Sequence, residues 1–353
     1  MVEGFKLGQS FGRVLMLDDS GAFNPSTGGF PVLNIQRSAA STFTGPLVSP
    51  FDIASDGNSL YVSAGFDAFG DGAIIKISNL TLSGGVVTGT WQDLTINSQR
   101  PTNPAFLTLV NSSSGILVYW TEYVSAAANG RVRRIVADGS RPAEDIITTL
   151  NFPAGLDHDG VRLAVCEAGG GGTSLGRMVV APLGATTTLN AQNPNEVTEI
   201  TARGSEQPIR RPFDVAFDGK NGFFFTEGAA LPSTSGPAAA GANNGAVRFL
   251  PTGQTTAQLV SNGLTNCAGI DAFDSNGDGT SAVVFSESLA STGRVQRRLV
   301  NTANVTLVAP TPVQTGLFSP LSVALVSETL PSVLGVINYD GGVANGTLRL
   351  WGP

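Results

Sequence analysis

Residues 49–77 have the sequence SPFDIASDGNSLYVSAGFDAFGDGAIIKI, and this stretch decides the fold. It contains three short apolar segments, at residues 50–54, 60–62 and 73–77, which are separated by polar, Gly-rich turns. Short segments rich in Val, Ile and Tyr and bounded by Asp-Gly or Gly-rich turns are typical of β-strands joined by hairpins. The stretch therefore predicts three antiparallel strands, which we label a, b and c in chain order.

The same order of segments returns five more times along the chain. A weaker fourth segment, strand d, follows strand c, for example at residues 145–148 and 197–200. Four short antiparallel strands repeated six times predict an all-β fold, a six-bladed β-propeller. We expect a single domain in which residues 49–353 form six blades, starting near residues 49, 104, 153, 212, 267 and 320.

The two ends of the chain are predicted to close the propeller. The last repeat stops at Trp351 after three strands, so residues 1–48 have to supply its fourth strand, and residues 31–35 (PVLNI) are the natural candidate. Residues 12–17 contain a further strand that is surplus to six blades. This strand either adds to its own ring or pairs with a neighbouring subunit by strand exchange, because an unpaired edge accepts strands readily. The residues of that exchange would be Arg13, Val14, Leu15, Met16 and Leu17.

Composition and charge exclude several classes of protein. The 353 residues carry a net charge of −7, and only 13% of them are charged, whereas a general nucleic-acid binder has a basic surface. No apolar run approaches the roughly 20 residues that a membrane span needs. The N-terminus lacks the segments of a secretory signal, so the chain is either cytoplasmic or a mature form without its signal. Because Ser, Thr, Asn and Gly are abundant and lysine is rare, we expect a mature extracellular or cell-surface protein, with the cytoplasm as the alternative. Cys166 and Cys267 lie in non-adjacent repeats and are predicted to be buried free thiols.

Two repeats resemble known propeller families. Tyr119-Trp120-Thr121-Glu122, followed by residues 131–140 (RVRRIVADGS), resembles the YWTD repeat of LDL-receptor-type six-bladed propellers. Residues 152–156 (FPAGL), with Asp159-Gly160, are similar to the NHL and SMP-30/gluconolactonase group. The resemblance extends over residues 49–351 and implies the propeller fold. It implies no single activity, since these families include receptors, scaffolds, lactonases and lyases on one architecture.

The resemblance also indicates where a metal-dependent hydrolase would hold its cation. In SMP-30-like lactonases, Asn, Asp and Glu side chains near the start of strand a hold a divalent ion. The matching positions of this chain lack that asparagine, and the next position is acidic only at Asp52 and Asp214. Two carboxylates hold a hard cation only with several further oxygen ligands. We therefore assign no catalytic residue, and the alternative of a lactonase-type hydrolase with a rearranged site depends on Asp52, Asp214 and Glu227.

An acidic residue follows strand b in four of the repeats, at Glu122, Glu167, Glu227 and Glu287. A functional site usually breaks the symmetry of a repeat protein, whereas a structural contact repeats with the fold. We therefore predict that these acids bind amides of the neighbouring loops or the arginine near strand c.

Residues 274–279 (DSNGDG) match the first half of a calcium-binding loop. Oxygen-bearing side chains stand at Asp274, Asn276 and Asp278, and glycine occupies the sixth position, as such loops require. The twelfth position, where a bidentate Glu belongs, is Phe285. Two interpretations stay open: a calcium site, which is the one cofactor that the sequence suggests, or a long polar turn.

Four arginines, Arg100, Arg203, Arg210 and Arg211, lie in connections between strand d and the next strand a. The longest insertion, residues 228–244, lies in a b–c connection, which belongs to the same predicted face. Clustered arginines bind carboxylate, sulfate or phosphate groups, and insertions confined to one face of a repeat protein often mark its binding face. We predict either a rim that binds an anionic protein or glycan, or solvated arginines beside a loop.

These observations together favour a non-catalytic extracellular or surface propeller that acts as a binding or structural module. Self-association by strand exchange is one version of that function. We expect no nucleic-acid partner and no membrane-spanning segment.

Overall fold

The computed structural model describes eighteen stretches of the chain, namely residues 2–3, 13–14, 34–37, 50–56, 58–64, 72–83, 86–96, 98–122, 129–169, 176–228, 232–233, 236–237, 245–274, 277–287, 293–317, 320–325, 334–338 and 348–351. These residues form β-strands and the turns between them, and they contain no helix.

The strands follow the predicted repeats. Three short N-terminal strands are β1 (Val2–Glu3), β2 (Arg13–Val14) and β3 (Asn34–Arg37). The first repeat consists of β4 (Pro50–Ser55), β5 (Leu60–Ala64), β6 (Ala73–Ser83) and β7 (Val86–Asp93). The second consists of β8 (Pro104–Ser112), β9 (Gly115–Glu122), β10 (Gly130–Val136) and β11 (Glu144–Leu150). The third consists of β12 (Pro153–His158), β13 (Arg162–Glu167), β14 (Arg177–Pro182), β15 (Leu189–Asn190) and β16 (Thr198–Glu199).

The remaining strands continue the pattern after β17 (Thr201–Ala202). The fourth repeat contains β18 (Pro212–Phe217), β19 (Gly222–Glu227), the small hairpin β20 (Pro232–Ser233) and β21 (Gly236–Pro237), then β22 (Gly245–Pro251) and β23 (Thr256–Leu264). The fifth contains β24 (Cys267–Phe273), β25 (Thr280–Glu287), β26 (Gly293–Asn301) and β27 (Thr311–Leu317). The last contains β28 (Pro320–Leu325), β29 (Leu334–Asn338) and β30 (Leu348–Trp351).

Strands a, b and c of each repeat, with strand d where it is described, form one sheet in which they are neighbours in chain order, and β3, β15 and β17 add to the outer edges of such sheets. The strand orders of these sheets are β3-β7-β6-β5-β4, β15-β11-β10-β9-β8, β12-β13-β14-β16, β17-β23-β22-β19-β18, β24-β25-β26-β27 and β28-β29-β30. Strands a, b and c pair antiparallel, as in β4–β5–β6, β12–β13–β14 and β24–β25–β26. The Asp-Gly turns and the short apolar segments explain this meander, because neither allows a long crossover between consecutive strands.

The chain divides into two compact units, residues 1–124 with 132–145 and residues 125–131 with 146–353. In the first unit, the first strands of two successive repeats, β4 and β8, contact each other. In the second unit, the first strands β12, β18, β24 and β28 contact one another in succession. Antiparallel meander sheets that pack through their first strands are the blades of a β-propeller. The fold class is therefore an all-β propeller with antiparallel sheets.

The apolar core of each unit lies between its sheets. In the first unit it includes Tyr61, Ile74, Leu107, Val118 and Trp120, and in the second it includes Phe224, Phe249, Val260, Cys267 and Phe285. These side chains come from strands of neighbouring repeats. A single blade therefore lacks a complete core, and its stability depends on the blade beside it.

The prediction of six complete blades is wrong in its count. Five sheets have four or five strands, whereas the sheet of β28, β29 and β30 has three strands within the described residues. The prediction that residues 31–35 complete that last blade is also corrected, because β3 (Asn34–Arg37) pairs in parallel with Thr88–Trp91 of the first sheet. An outer strand presents a row of unpaired N–H and C=O groups, and the outer edge of β7 receives β3.

Two further sheets receive a fifth strand in the same way. β15 adds in parallel to β11, and β17 adds in parallel to β23. In the surplus segment, Arg13 and Val14 pair antiparallel with Val2 and Glu3 of the same chain. Leu15, Met16 and Leu17 lie outside the described residues, so strand exchange by this segment stays a prediction.

Candidate functional site

The four acids that follow strand b are buried at equivalent places, and each pairs with an arginine of strand c. The pairs are Glu122–Arg133 at 3.2 Å, Glu167–Arg177, Glu227–Arg248 at 3.0 Å and Glu287–Arg294 at 3.0 Å. Antiparallel pairing of strands b and c explains the repetition, because it places the end of strand b opposite the start of strand c. In β25 and β26, for example, Glu287 is directly opposite Arg294.

Three of these acids also accept a backbone N–H from the loop that leads into strand a. Asn151 donates to Glu167, Arg210 donates to Glu227 at 3.1 Å, and Thr265 donates to Glu287 at 3.1 Å. One carboxylate thus ties three segments of a blade together. These contacts confirm the prediction that the acids bind loop amides and the arginine near strand c.

Glu227 has the most perturbed environment of the group. Its side chain and that of Arg248 are almost completely buried, at 4% and 1% exposure. Burial raises the pKa of Glu227 to about 7, although the charges of Arg248 and Arg210 act in the opposite direction. Arg248 donates further hydrogen bonds to Glu206 at 2.9 Å and to the carbonyl of Gln207. The candidate acid of the hydrolase interpretation is therefore part of an internal ion-pair network.

Asp52 and Asp214, the other two candidates, cross-link successive blades. In the first unit, Asp52 Oδ2 accepts the N–H of Leu107 in the next strand a at 2.8 Å. In the second unit, Asp214 Oδ2 accepts the N–H of Ile270 at 3.1 Å, and its Oδ1 accepts the N–H of Val215 at 2.9 Å. Because Asp52 belongs to the first unit and Asp214 and Glu227 to the second, the structure describes no common site for the three.

A third aspartate makes the same cross-link from a shifted position. Asp157 Oδ2 accepts the N–H of Phe217 at 2.8 Å. It lies two residues later in strand a than Asp52 and Asp214 do in theirs, and Gly155 occupies the equivalent of their position. Sequence reasoning missed Asp157, although there was a usable signal: the two repeats that have Gly at this position, Gly155 and Gly269, have an aspartate two residues later, Asp157 and Asp271.

A hydroxyl in strand b completes the cross-links. Ser63 accepts the N–H of Asp52 at 3.0 Å and donates to the carbonyl of Ala105 in the next strand a. Thr226 accepts the N–H of Asp214 at 3.2 Å and donates to the carbonyl of Ala268 at 2.5 Å. Sequence reasoning also missed these hydroxyls. Their signal is the Ser or Thr that directly precedes the repeated acid or its equivalent.

The four arginines of the predicted rim differ in exposure and in their partners. Arg100, in the first unit, forms an ion pair with the buried Asp93. In the second unit, Arg203 is exposed and donates to Gln258 at 2.9 Å, and Arg210, seven residues later in the connection from β17 to β18, is also exposed. Arg211 is half-buried, with a left-handed φ of 44°. Arg203 and Arg210 are therefore the members of the predicted rim that face solvent.

The predicted calcium loop lies between β24 and β25. Asp274 Oδ2 accepts hydrogen bonds from the Asn221 amide at 2.6 Å and from the N–H of Gly279 at 3.1 Å. Asp278 Oδ1 accepts the N–H of Thr280 at 2.7 Å. Asn276 lies outside the described residues. Burial acts to raise the pKa of Asp274, but the hydrogen bonds from Asn221 and the loop backbone outweigh it and hold this pKa below its usual value.

A cleft of about 340 Å³ in the second unit is lined by Arg294 and Gln296 on strand c and by Leu307, Val308 and Pro310 of the following loop. Arg294 and Gln296 both donate to Glu287. The cleft therefore offers an apolar wall beside polar groups that are already hydrogen-bonded. In the described part of the chain, no three His, Cys, Asp or Glu side chains group as metal ligands.

Cys166 and Cys267 are both free and buried, as predicted. Burial raises the pKa of both thiols well above the usual value, and nearby carboxylates add to the effect. Neutral thiols are poor nucleophiles. Over the residues that the structure describes, no helix is long and apolar enough to cross a membrane.

No protein family matches this chain, and no curated protein matches it. Among solved structures, the chain is similar to a protein assigned as an oxidoreductase (glucose dehydrogenase) from Thermus thermophilus, with 12% identity, a TM-score of 0.48 and coverage of 85% of this chain and 95% of the other. It is also similar to the β-propeller domain of the trilobed protease from Pyrococcus furiosus, with 9% identity, a TM-score of 0.47 and coverage of 86% and 77%. A puromycin-hydrolysing peptidase of Mycobacterium tuberculosis has 10% identity, a TM-score of 0.40 and coverage of 85% and 53%. Similarities this low say nothing about the activity of this chain.

Proposed function

We propose that this chain is a non-catalytic β-propeller module that works outside the cytoplasm, in the extracellular space or at a cell surface. It would bind a protein or glycan partner through the connections between strands d and a and between strands b and c. One observation carries the proposal: each carboxylate that a rearranged hydrolase site would need already holds the fold together. Asp52 and Asp214 bind backbone N–H groups of the next blade, and Glu227 binds Arg248.

A catalytic acid or base has to exchange a proton with a substrate, and a metal ligand needs a free lone pair pointing at the ion. The oxygens of Asp214 accept from Ile270 and Val215, and Oε1 of Glu227 accepts from both Arg210 and Arg248. Removing these acceptors for catalysis would break cross-links between strands. Because the same oxygens cannot serve both catalysis and these cross-links, the contacts favour a structural role for the acids. We therefore assign the function of the module to binding at its surface.

The alternative, an SMP-30-like metal-dependent hydrolase, has one observation in its favour. The pKa of Glu227, at about 7, suits a general acid or base at neutral pH. We expect the purified chain with Ca²⁺, Mn²⁺ or Zn²⁺ to hydrolyse a panel of γ- and δ-lactones no faster than the metal alone. Glu227→Gln should leave that rate unchanged. A rate above background that falls about a hundredfold in Glu227→Gln would establish the hydrolase instead.

The anionic-partner rim is tested by binding to a sulfated glycan. Arg203 and Arg210 face solvent in the second unit, and guanidinium groups bind sulfate with two parallel hydrogen bonds. We expect the double variant Arg203→Ser/Arg210→Ser to bind heparin about tenfold more weakly than the wild type and to elute from a heparin column at lower salt. Arg141→Ser, which removes an exposed arginine from another loop, is the matched control. Equal elution of the double variant and the wild type would remove this rim from the proposal.

Self-assembly by strand exchange is the other version of the module. The described strands β2 and β3 pair within their own chain. The proposal therefore rests on surface binding, and strand exchange remains a prediction from the sequence.

A further inference from the structure

The loop between β24 and β25 contains a carboxylate oxygen that is shielded from water and has no hydrogen-bond partner. Only 7% of Asp274 is exposed, although Asp278 in the same loop faces solvent. Asp274 Oδ2 is satisfied by Asn221 and Gly279, whereas Oδ1 has no partner. An unpaired carboxylate oxygen away from water costs free energy. Such an oxygen needs either a further donor or a cation.

The residues beside this oxygen supply a second carboxylate and a tight turn, both of which suit a hard cation. Asp278 stands four residues later, and its Oδ1 accepts the N–H of Thr280, which fixes its carboxylate within the loop. Gly277 and Gly279 take left-handed φ values of 60° and 86°, which lets the backbone turn tightly around the loop. Calcium binds such arrangements of carboxylate, carbonyl and water oxygens, whereas transition metals prefer His and Cys ligands.

We propose that Asp274 and the turn at residues 277–279 bind one Ca²⁺ ion, with Asp274 Oδ1 and the Asp278 carboxylate as its charged ligands. Backbone carbonyls and water complete the coordination. Glu287 is not a ligand, because it is buried against Arg294 and Gln296 and accepts the N–H of Thr265. With two carboxylates, the site belongs to the weak class of extracellular calcium modules, with a dissociation constant on the order of 10⁻⁴ to 10⁻³ M.

The positive charge of Lys220 opposes binding of the ion, and its removal provides a second test of the proposal. Its Nζ donates to the carbonyl of Gly277 at 2.7 Å, so an ammonium charge lies against the loop. A cation that enters the loop is repelled by this charge. Lys220→Met is therefore expected to bind Ca²⁺ several-fold more tightly than the wild type, whereas a loop stabilised only by Lys220 would gain nothing.

Isothermal titration of the full-length chain with CaCl₂, after treatment with EDTA, tests the proposal. We expect one saturable site in the wild type and binding at least about tenfold weaker in Asp278→Asn, which keeps the oxygen that accepts from Thr280 but loses the charge. Asp138→Asn is the matched control, because Asp138 accepts the N–H of Ser140 in an equivalent exposed turn far along the chain. This control should bind Ca²⁺ like the wild type.

Three results would overturn the proposal. They are no saturable binding up to about 10 mM Ca²⁺, unchanged binding in Asp278→Asn, and equal weakening in Asp138→Asn. Far-UV circular dichroism of each variant shows whether the fold is intact, and Asp278 is exposed enough for its replacement to leave it so. Because the site is separate from Glu227 and from the arginine rim, these outcomes are independent of the hydrolysis and heparin experiments.

Discussion

Arg248→Met is expected to lower the free energy of unfolding by about 3–5 kcal/mol at pH 8. At this pH the Glu227 carboxylate, whose pKa is about 7, is largely ionised. The variant leaves this carboxylate without its cation, and because Arg248 acts to lower the pKa of Glu227, that pKa rises when Arg248 is lost. Glu227 then either stays charged in a buried site or takes up a proton, and both outcomes cost free energy. The variant also removes the hydrogen bonds from Arg248 to Glu206 and to the carbonyl of Gln207. Urea denaturation followed by circular dichroism measures the loss.

A surface ion pair provides the matched control for this prediction. Arg134 pairs with Glu144 at 2.8 Å, but 52% of the Glu144 side chain is exposed. Solvent screens such a pair, so Glu144→Gln should change stability by less than about 1 kcal/mol. The double variant Arg248→Met/Glu227→Leu, which removes both charges, should recover a large part of the loss, because the damage lies in the unpaired charge. A loss in Arg248→Met as small as that of the control would contradict the structural role of the pair.

The pH dependence of the stability loss in Arg248→Met separates the contribution of the Arg248 charge from that of its packing. At pH 5 Glu227 is protonated in the folded chain and does not need a cation, so the deficit of Arg248→Met should shrink. The wild type has its own pH dependence from this residue, because burial raises the folded pKa of Glu227 above its usual 4.5. A raised pKa contributes stability that is complete below about pH 4.5 and is lost as the pH rises through about 7. Glu227→Gln should remove this part of the profile, which is on the order of 3 kcal/mol.

The strands could be predicted from the sequence because their signals are local. Each first strand begins at a Pro or Cys followed by apolar residues, and the structure starts these strands at Pro50, Pro104, Pro153, Pro212, Cys267 and Pro320. The YWTD-like segment is explained by contacts within one blade. Trp120 Nε1 donates to Glu122 at 3.2 Å, and the Arg133 guanidinium lies 5.7 Å from the centre of the Trp120 ring.

The pairing partner of the N-terminal strand β3 could not be predicted from local signals, because it depends on competition between unpaired strand edges. Asn34–Arg37 can pair with any unpaired outer strand of suitable length, and nothing in its own sequence selects one. In the structure the edge of β7 takes it, at Thr88–Trp91. The count of complete blades fails for the same reason, since the sheet of β28 to β30 does not receive the strand that the sequence assigned to it.

The candidate site was predicted in its residues but not in their roles. The sequence identified Asp52 and Asp214 as acids at one repeat position, yet their partners, Leu107 and Ile270, lie 55 and 56 residues away along the chain. Such a contact exists only once neighbouring blades have packed, and no local pattern shows it. Glu227 was different, because the repetition of an acid after strand b already indicated a structural pairing.

The packing of successive blades leads to the second large effect, at Gly155. A Cβ at this position would lie 2.6 Å from the Cα of Asp214, 2.5 Å from its Oδ1 and 3.0 Å from the carbonyl oxygen of Phe213. Two of these three atoms belong to the backbone of β18, so they cannot move without shifting the strand. Gly155→Ala is therefore expected to lower the free energy of unfolding by about 3 kcal/mol, the upper end of the cost of overpacking.

Gly184→Ala is the matched control for Gly155→Ala. A Cβ at Gly184 would meet no atom within 4 Å, and the backbone there does not require glycine. This variant should be neutral or slightly stabilising, because alanine reduces the freedom of the unfolded chain. Denaturation of the two variants under identical conditions isolates the contact with Asp214 from the general effect of adding a methyl group. Equal midpoints would mean that β12 and β18 lie further apart than in the structure, and the aspartate cross-links between blades would then lose their geometric basis.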